Sequence, residues 1–237
     1  MIVNDLIVKR KIRNIFIGLV IFEIAIVVIY IGSIVKMGTP YPAFDMNGKM
    51  TIPSLLQSLH LLAIGFISLM LFLKLPRNQG RPSHKFMLAT AILLIYGSID
   101  EMFKIHLHFA DFLPIEKRSW MVIYAIVFFG LPTVFYRDLI FLWRKHRRET
   151  SFALLGMVIF AIGGFLGEIL RDFLLFPATY KILNVRDIIT LYQNIDLVQG
   201  LRVAFEEFFE LLGENFVLYG FMLFAAKIIA STDRIIV

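Results

Sequence analysis

Residues Arg202 to Gly220 read RVAFEEFFELLGENFVLYG. The stretch is apolar enough to begin a membrane-spanning helix, yet it carries Glu206, Glu207, Glu210 and Glu214. At 3.6 residues per turn these four carboxylates project within an arc of roughly 100°. Phe205, Phe208, Phe209, Leu212 and Phe216 occupy the rest of the helix and are purely apolar. A carboxylate in hydrocarbon costs several kcal/mol unless it is protonated, paired or bound to a cation. Four on one face therefore require other helices around them, and the chain must be a bundle.

The composition agrees. Apolar residues make up 59% of the 237 residues and 24 of them are Phe, whereas a soluble domain is apolar over about half its length. Six runs reach spanning length, at roughly 14–36, 53–75, 86–108, 119–143, 151–177 and 201–229. The expectation is an all-α polytopic membrane protein, a single domain (residues 1–237) of six transmembrane helices. Turn signals separate the runs: Gly38-Thr39-Pro40-Tyr41-Pro42 and Asn47-Gly48 after the first, PRNQGRP from Pro76 to Pro82 after the second. The first run is too long for a signal-peptide core and no small-residue cleavage site follows it, so it reads as a retained span. With no cysteine, disulfides, thiolate metal sites and cysteine nucleophiles drop out.

Basic residues set the orientation. Lys9, Arg10, Lys11 and Arg13 precede the first span; Lys74, Arg77, Arg81 and Lys85 follow the second; Arg144, Lys145, Arg147 and Arg148 follow the fourth. The alternate connections are poorer in Lys and Arg or balanced by acids. The positive-inside rule then places both termini in the cytoplasm, with the protein in the plasma (inner) membrane. This pattern accounts for the net charge of +6, so no nucleic-acid partner is expected. The longest connection, from Pro177 to Gly200, falls outside. Within it Val185–Leu197 reads either as a short helix lying in the interface or as an ordered loop over the bundle.

Topology converts position into depth. Asp100, Glu101, Lys104, His106 and His108 fall near the outer end of the third span, and Glu168, Arg171 and Asp172 late in the fifth. Glu206 to Glu214 lie in the outer half of the sixth, and His60 lies early in the second. Eight acids (Asp100, Glu101, Glu168, Asp172, Glu206, Glu207, Glu210, Glu214) face three fixed bases (Lys104, Arg171, Arg202), an excess of five. Raised pKa values or bound cations must neutralise it. Mixed carboxylate and imidazole donors suit zinc, manganese or iron; carboxylates alone suit calcium or magnesium. On a regular helix Asp100, Glu101, Lys104 and His108 share a face and His106 points elsewhere, so for His106 to join them the helix must bend or end there. Gly163 and Gly167 form a small-xxx-small pair that admits a neighbouring helix. Bland alternatives accompany each member. Asp100–Lys104 and Glu168–Arg171 fit structural pairs at i,i+4 and i,i+3, His60 fits a hydrogen-bonded bundle residue, Glu214 a protonated packing residue, and Trp120 and Tyr124 interfacial aromatics.

The segments SIDEMFKIH, GFLGEIL and FEEFFELLG resemble a group of small bacterial multi-pass membrane proteins. These carry Asp-Glu-x4-His in one span, a Glu after glycines in another, and Glu-Glu-x-x-Glu in the last. The resemblance places Asp100, Glu101, His106, Glu168, Glu206, Glu207 and Glu210 at the shared positions and implies no activity. Where the group often has Glu directly after the His, this chain has Leu107 and then His108.

No H-E-x-x-H, P-loop, G-x-S-x-G or repeated histidine box is present. The leading expectation is a metal-dependent membrane enzyme acting on a lipid or lipid-linked substrate in the outer leaflet. Its divalent ion (zinc, manganese or iron) is expected to be held among Asp100, Glu101, His106 or His108, Glu168, Glu207 and Glu210. Glu206 is the expected general base, and His60, Asp172 and Glu214 are further possible members. Two alternatives use the same acids: a cation or proton transporter, and a non-enzymatic partner or sensor subunit in which they are structural. In every case the third, fifth and sixth spans should be mutual neighbours, with Glu101, Glu168 and Glu210 facing one cavity.

Overall fold

The computed structural model describes residues 2–75, 80–108, 119–170 and 188–232, and within them every side chain except those of 2–5, 107, 119–121, 164–170, 188–196 and 231–232. The end of the expected fifth span, with Arg171 and Asp172, lies outside the described residues, as does the side chain of Glu168. The described chain is all-α. Its helices are α1 (Ile2–Met37), α2 (Ile52–Lys74), α3 (His84–Phe103), α4 (Ser119–Val134), α5 (Tyr136–Lys145), α6 (Arg147–Leu170) and α7 (Ile188–Thr232). Four of the described helical segments are long and apolar enough to cross a membrane, and five if α4 and α5 count as one broken span.

Three boundaries differ from the sequence reading. First, α3 stops at Phe103 rather than 108: Lys104 adopts a left-handed conformation (φ 49°) and residues Ile105–His108 form a 3-10 turn. The Asp100 carboxylate draws this turn back by accepting the His106 backbone N–H at 2.7 Å. Second, the expected fourth span is two helices bent by 65°. Pro132 sits inside α4, where it removes a backbone donor and crowds the preceding turn. Third, residues 188–197 are neither a separate interfacial helix nor a loop but the first turns of α7, 45 residues long. At 1.5 Å per residue α7 measures roughly 67 Å, more than twice a hydrocarbon core of about 30 Å.

The helix starts are locally specified. Thr51 caps α2 in a reciprocal arrangement with Ser54. Ser83 caps α3 by accepting the Phe86 N–H. Ser83 is itself held from α5, donating its N–H to Asp138 Oδ1 (2.8 Å) and its hydroxyl to Oδ2 (2.9 Å).

Packing makes α7 the centre. It contacts α1, α2 and α6, while α3 packs on α2. Gly65 on α2 allows that last approach, since a methyl there would lie 3.1 Å from Ile95 N and 3.3 Å from Ala91 O. The α6–α7 pair closes through glycines on both helices. A methyl on Gly213 would lie 2.7 Å from both Gly156 O and Phe160 N, one on Gly163 2.9 Å from Glu206 O, and one on Gly220 2.7 Å from Glu149 O. Close backbone approach of this kind supplies dispersion contact where hydrocarbon solvent gives no hydrophobic gain. Ile26, Tyr30, Ile34, Leu56, Val203 and Leu211 form the core where α1, α2 and α7 meet. Large apolar side chains such as Ile21, Phe66, Leu73, Ile92 and Val134 face outward, the surface that lipid covers.

Of the expected contacts among the third, fifth and sixth spans, the one between the fifth and sixth is extensive. The fifth and sixth (α6, α7) are intimate neighbours, while α3 packs chiefly on α2, which itself contacts α7.

The glycine seam yields a test. Gly213→Val places two methyls against Phe160 and the α6 backbone and should cost at least about 2 kcal/mol. Thermal unfolding in detergent should fall by several degrees, while Gly18→Val, with nothing within 4 Å of its Cβ position, should leave it unchanged.

Candidate functional site

The acids gather at the end of the bundle where α1 stops and α2 starts. Asp100 lies near the C-terminus of α3 and is 1% exposed. Its Oδ1 accepts the His106 N–H, and Oδ2 accepts both His106 Nδ1–H (2.7 Å) and the Tyr124 hydroxyl (2.6 Å). A carboxylate accepts only, so this contact places a proton on Nδ1. His106 is buried, whereas His108, further out, accepts from Lys49 Nζ. The early end of α3 therefore brings His106, not His108, against Asp100.

Glu101 pairs with Lys104, Nζ to Oε2 at 2.8 Å. The expected Asp100–Lys104 pair is corrected: Asp100 is fully engaged by His106 and Tyr124, and the left-handed turn at Lys104 breaks the helical i,i+4 geometry. Glu206 pairs with Arg202 at 2.9 Å. Glu207 is buried and accepts from Gln57 Nε2 at 3.1 Å. Glu210 is partly buried, and Glu101, Lys104, Glu206 and Glu207 are the charged groups that act on it. Glu101 and Glu210 thus belong to one electrostatic neighbourhood, while the expected Glu168 member has no described side chain.

A second, deeper set lies where α1, α2 and α7 cross. His60 is 2% exposed, with Nδ1 3.6 Å from Glu214 Oε2 and Nε2 3.9 Å from Glu23 Oε1. Asn215 Nδ2 donates to the same Glu23 Oε1 at 2.9 Å. The two carboxylates face different nitrogens of one ring, so the three do not converge on a common point. Asn215 is an addition to the residues singled out in the sequence, where Glu23 counts only as an acid in the inner half of the first span. The signal for Glu23 was present: a lone acid in an otherwise apolar span needs a buried partner. Tyr124 was read as an interfacial aromatic and is instead a donor to Asp100.

Below this set, between α2, α3, α4, α5, α6 and α7, lies a cavity of about 370 Å³. Leu61, Leu94, Val217 and Phe224 are among its walls, and Glu214 borders it. Among the described residues no group of three or more His, Asp or Glu side chains is arranged to hold a metal ion.

A family model described as a domain of unknown function (DUF8692) matches residues 18–226, and the chain belongs to that family. No curated protein and no solved structure matches it.

The Asp100 network makes a quantitative prediction. Asp100→Asn sets an amide N–H₂ against existing donors and should cost about 3 kcal/mol, while Tyr124→Phe removes one hydrogen bond to a carboxylate and should cost about 2 kcal/mol. Melting temperatures should fall in that order, and equal losses would separate Tyr124 from the network.

Proposed function

We propose that this member of the DUF8692 family is a six-span enzyme of the plasma (inner) membrane with both termini in the cytoplasm. Its site works at the outer leaflet on a lipid or lipid-linked substrate. The described basic residues at the start of α1, the end of α2, in α5 and at the start of α6 lie toward the end opposite the acids, which supports that orientation. The six-span count takes α4 and α5 as one broken crossing and α6, 24 residues long, as another.

The observation that carries the enzyme reading is the buried Asp100–His106 pair. A carboxylate on Nδ1–H fixes the tautomer and orientation of the imidazole and stabilises it when protonated, which makes Nε2 a positioned general base. In this reading His106 takes the proton of an attacking water or hydroxyl, and Asp100, steadied by Tyr124, holds the resulting imidazolium. The base role expected of Glu206 passes to His106, because the Glu206 carboxylate is already engaged by Arg202 at 2.9 Å. The apolar cavity beside Glu214 supports a substrate with a hydrocarbon tail.

The expected divalent ion (zinc, manganese or iron) also belongs to this proposal. Asp100 and Glu101 are engaged by other partners, so Glu207 and Glu210, with Glu168 on α6 and one imidazole from the expected set, His106 or His108, are the residues that would hold it. Bound there, it would supply a Lewis acid. Cation or proton transport is the competing reading, and the depth of the Glu23–His60–Glu214 set favours it.

The test is conversion of lipid. Purified protein in nanodiscs, incubated with a total lipid extract, should consume one lipid class by untargeted mass spectrometry. His106→Gln should reduce the rate at least about 100-fold with the fold retained. Elemental analysis of the same preparation should show a stoichiometric metal lost in Glu207→Gln. An unchanged lipid profile, together with ion flux in proteoliposomes abolished by Glu207→Gln and Glu210→Gln, would transfer the assignment to transport.

A further inference from the structure

The deep set on α1, α2 and α7 is not used by the chemistry above, and it carries an unusual deficit. Glu23 Oε2, His60 Nδ1 and Nε2, Glu214 Oε2 and Asn215 Oδ1 are buried and have no hydrogen-bond partner among the described residues. Buried polar atoms are almost always paired, and those that are not call for a functional explanation. In the middle of a bundle this holds with more force, since hydrocarbon supplies no alternative partner.

The geometry selects the explanation. A single metal ion needs its ligands to converge, but His60 turns Nδ1 toward Glu214 and Nε2 toward Glu23. An imidazole between two carboxylates, one at each nitrogen, is instead arranged to accept a proton on one side and release one on the other. The separations of 3.6 and 3.9 Å are within reach of one bridging water or a small turn of the ring. Asn215 fixes the far end by donating to Glu23.

We propose that Glu214, His60 and Glu23 form a proton relay between α7 and α1. A protonated Glu214 gives its proton to His60 Nδ1 while His60 Nε2–H gives its proton to the Glu23 carboxylate. The Glu214 O–H and His60 Nε2–H bonds break, and the His60 Nδ1–H and Glu23 O–H bonds form. One carboxylate is charged before and after, and the neutral ring has exchanged tautomers. The charged groups that bear on Glu214 are Glu101, Glu207, Glu210 and Lys104. Through them the relay joins the acidic face of α7 to the interior of α1. It does not depend on turnover at His106.

The experiment uses the full chain in nanodiscs, with no substrate. Infrared spectra across a pH series follow the carboxylic-acid bands assigned with Glu23→Gln and Glu214→Gln. With His60 present, Glu214→Gln should move the Glu23 titration by at least about one pH unit, a tenfold change in proton affinity. In a His60→Gln background the same substitution should move it far less. Nitrogen NMR of the His60 ring in the unsubstituted protein gives an answer that needs no variant to fold: both tautomers should be populated, with their ratio changing as pH crosses the carboxyl titration. A single tautomer at every pH, or Glu23 and Glu214 titrating independently with His60 in place, would overturn the relay. So would a stoichiometric metal ion that is lost in His60→Gln.

Discussion

Everything in this bundle depends on keeping the carboxylates of α7 out of hydrocarbon. A charged face turned to lipid is prohibitive, so α7 must be enclosed, and it is: α1, α2 and α6 pack around it. The two sides of α7 solve the problem differently. Toward α6 the helix is stripped to glycine at Gly213 and Gly220, and backbones meet at close range. Toward α1 and α2 it presents Glu207 to Gln57, Glu214 to His60 and Asn215 to Glu23. Tight packing on one side holds the polar contacts in register on the other.

A second constraint acts at the end of α3. Asp100 gathers a backbone N–H, an imidazole and a tyrosine hydroxyl, and in doing so it ends the helix and turns His106 inward. Local structure and site chemistry are here one event: the carboxylate that terminates the helix is the carboxylate that orients the imidazole. Lys104, placed by the same turn, is then left to neutralise Glu101. Removing Asp100 would therefore alter both the shape of the turn and the orientation of the ring.

The two polar layers differ in how completely they are satisfied. Both oxygens of Asp100 have donors, as expected of a group whose work is to hold another in place. Around His60 several buried atoms lack one, as expected of groups between which a proton moves. Below them the walls turn apolar, and the cavity bordered by Glu214 begins.

The sequence by itself determined the all-α class, the membrane-length helices and the acidic arc on the last of them. Each is a one-dimensional property: hydrophobic run length, and angular position at 100° per residue. It also brought out Asp100, His106, Glu207 and Glu210 as residues whose burial demands partners. Only the tertiary structure decided who those partners are. Gln57 meets Glu207 across 150 residues and Asn215 meets Glu23 across 192, and no local pattern encodes such pairings. The choice between His106 and His108 was likewise unreadable, because helical periodicity favours His108 and only the capture of the turn by Asp100 reverses it. The bend after Pro132 and the continuity of α7 through residues 188–200 were decided by packing as well, since a proline permits a kink without fixing its angle and Gly200 permits a break that contact with Ile34 of α1 does not require.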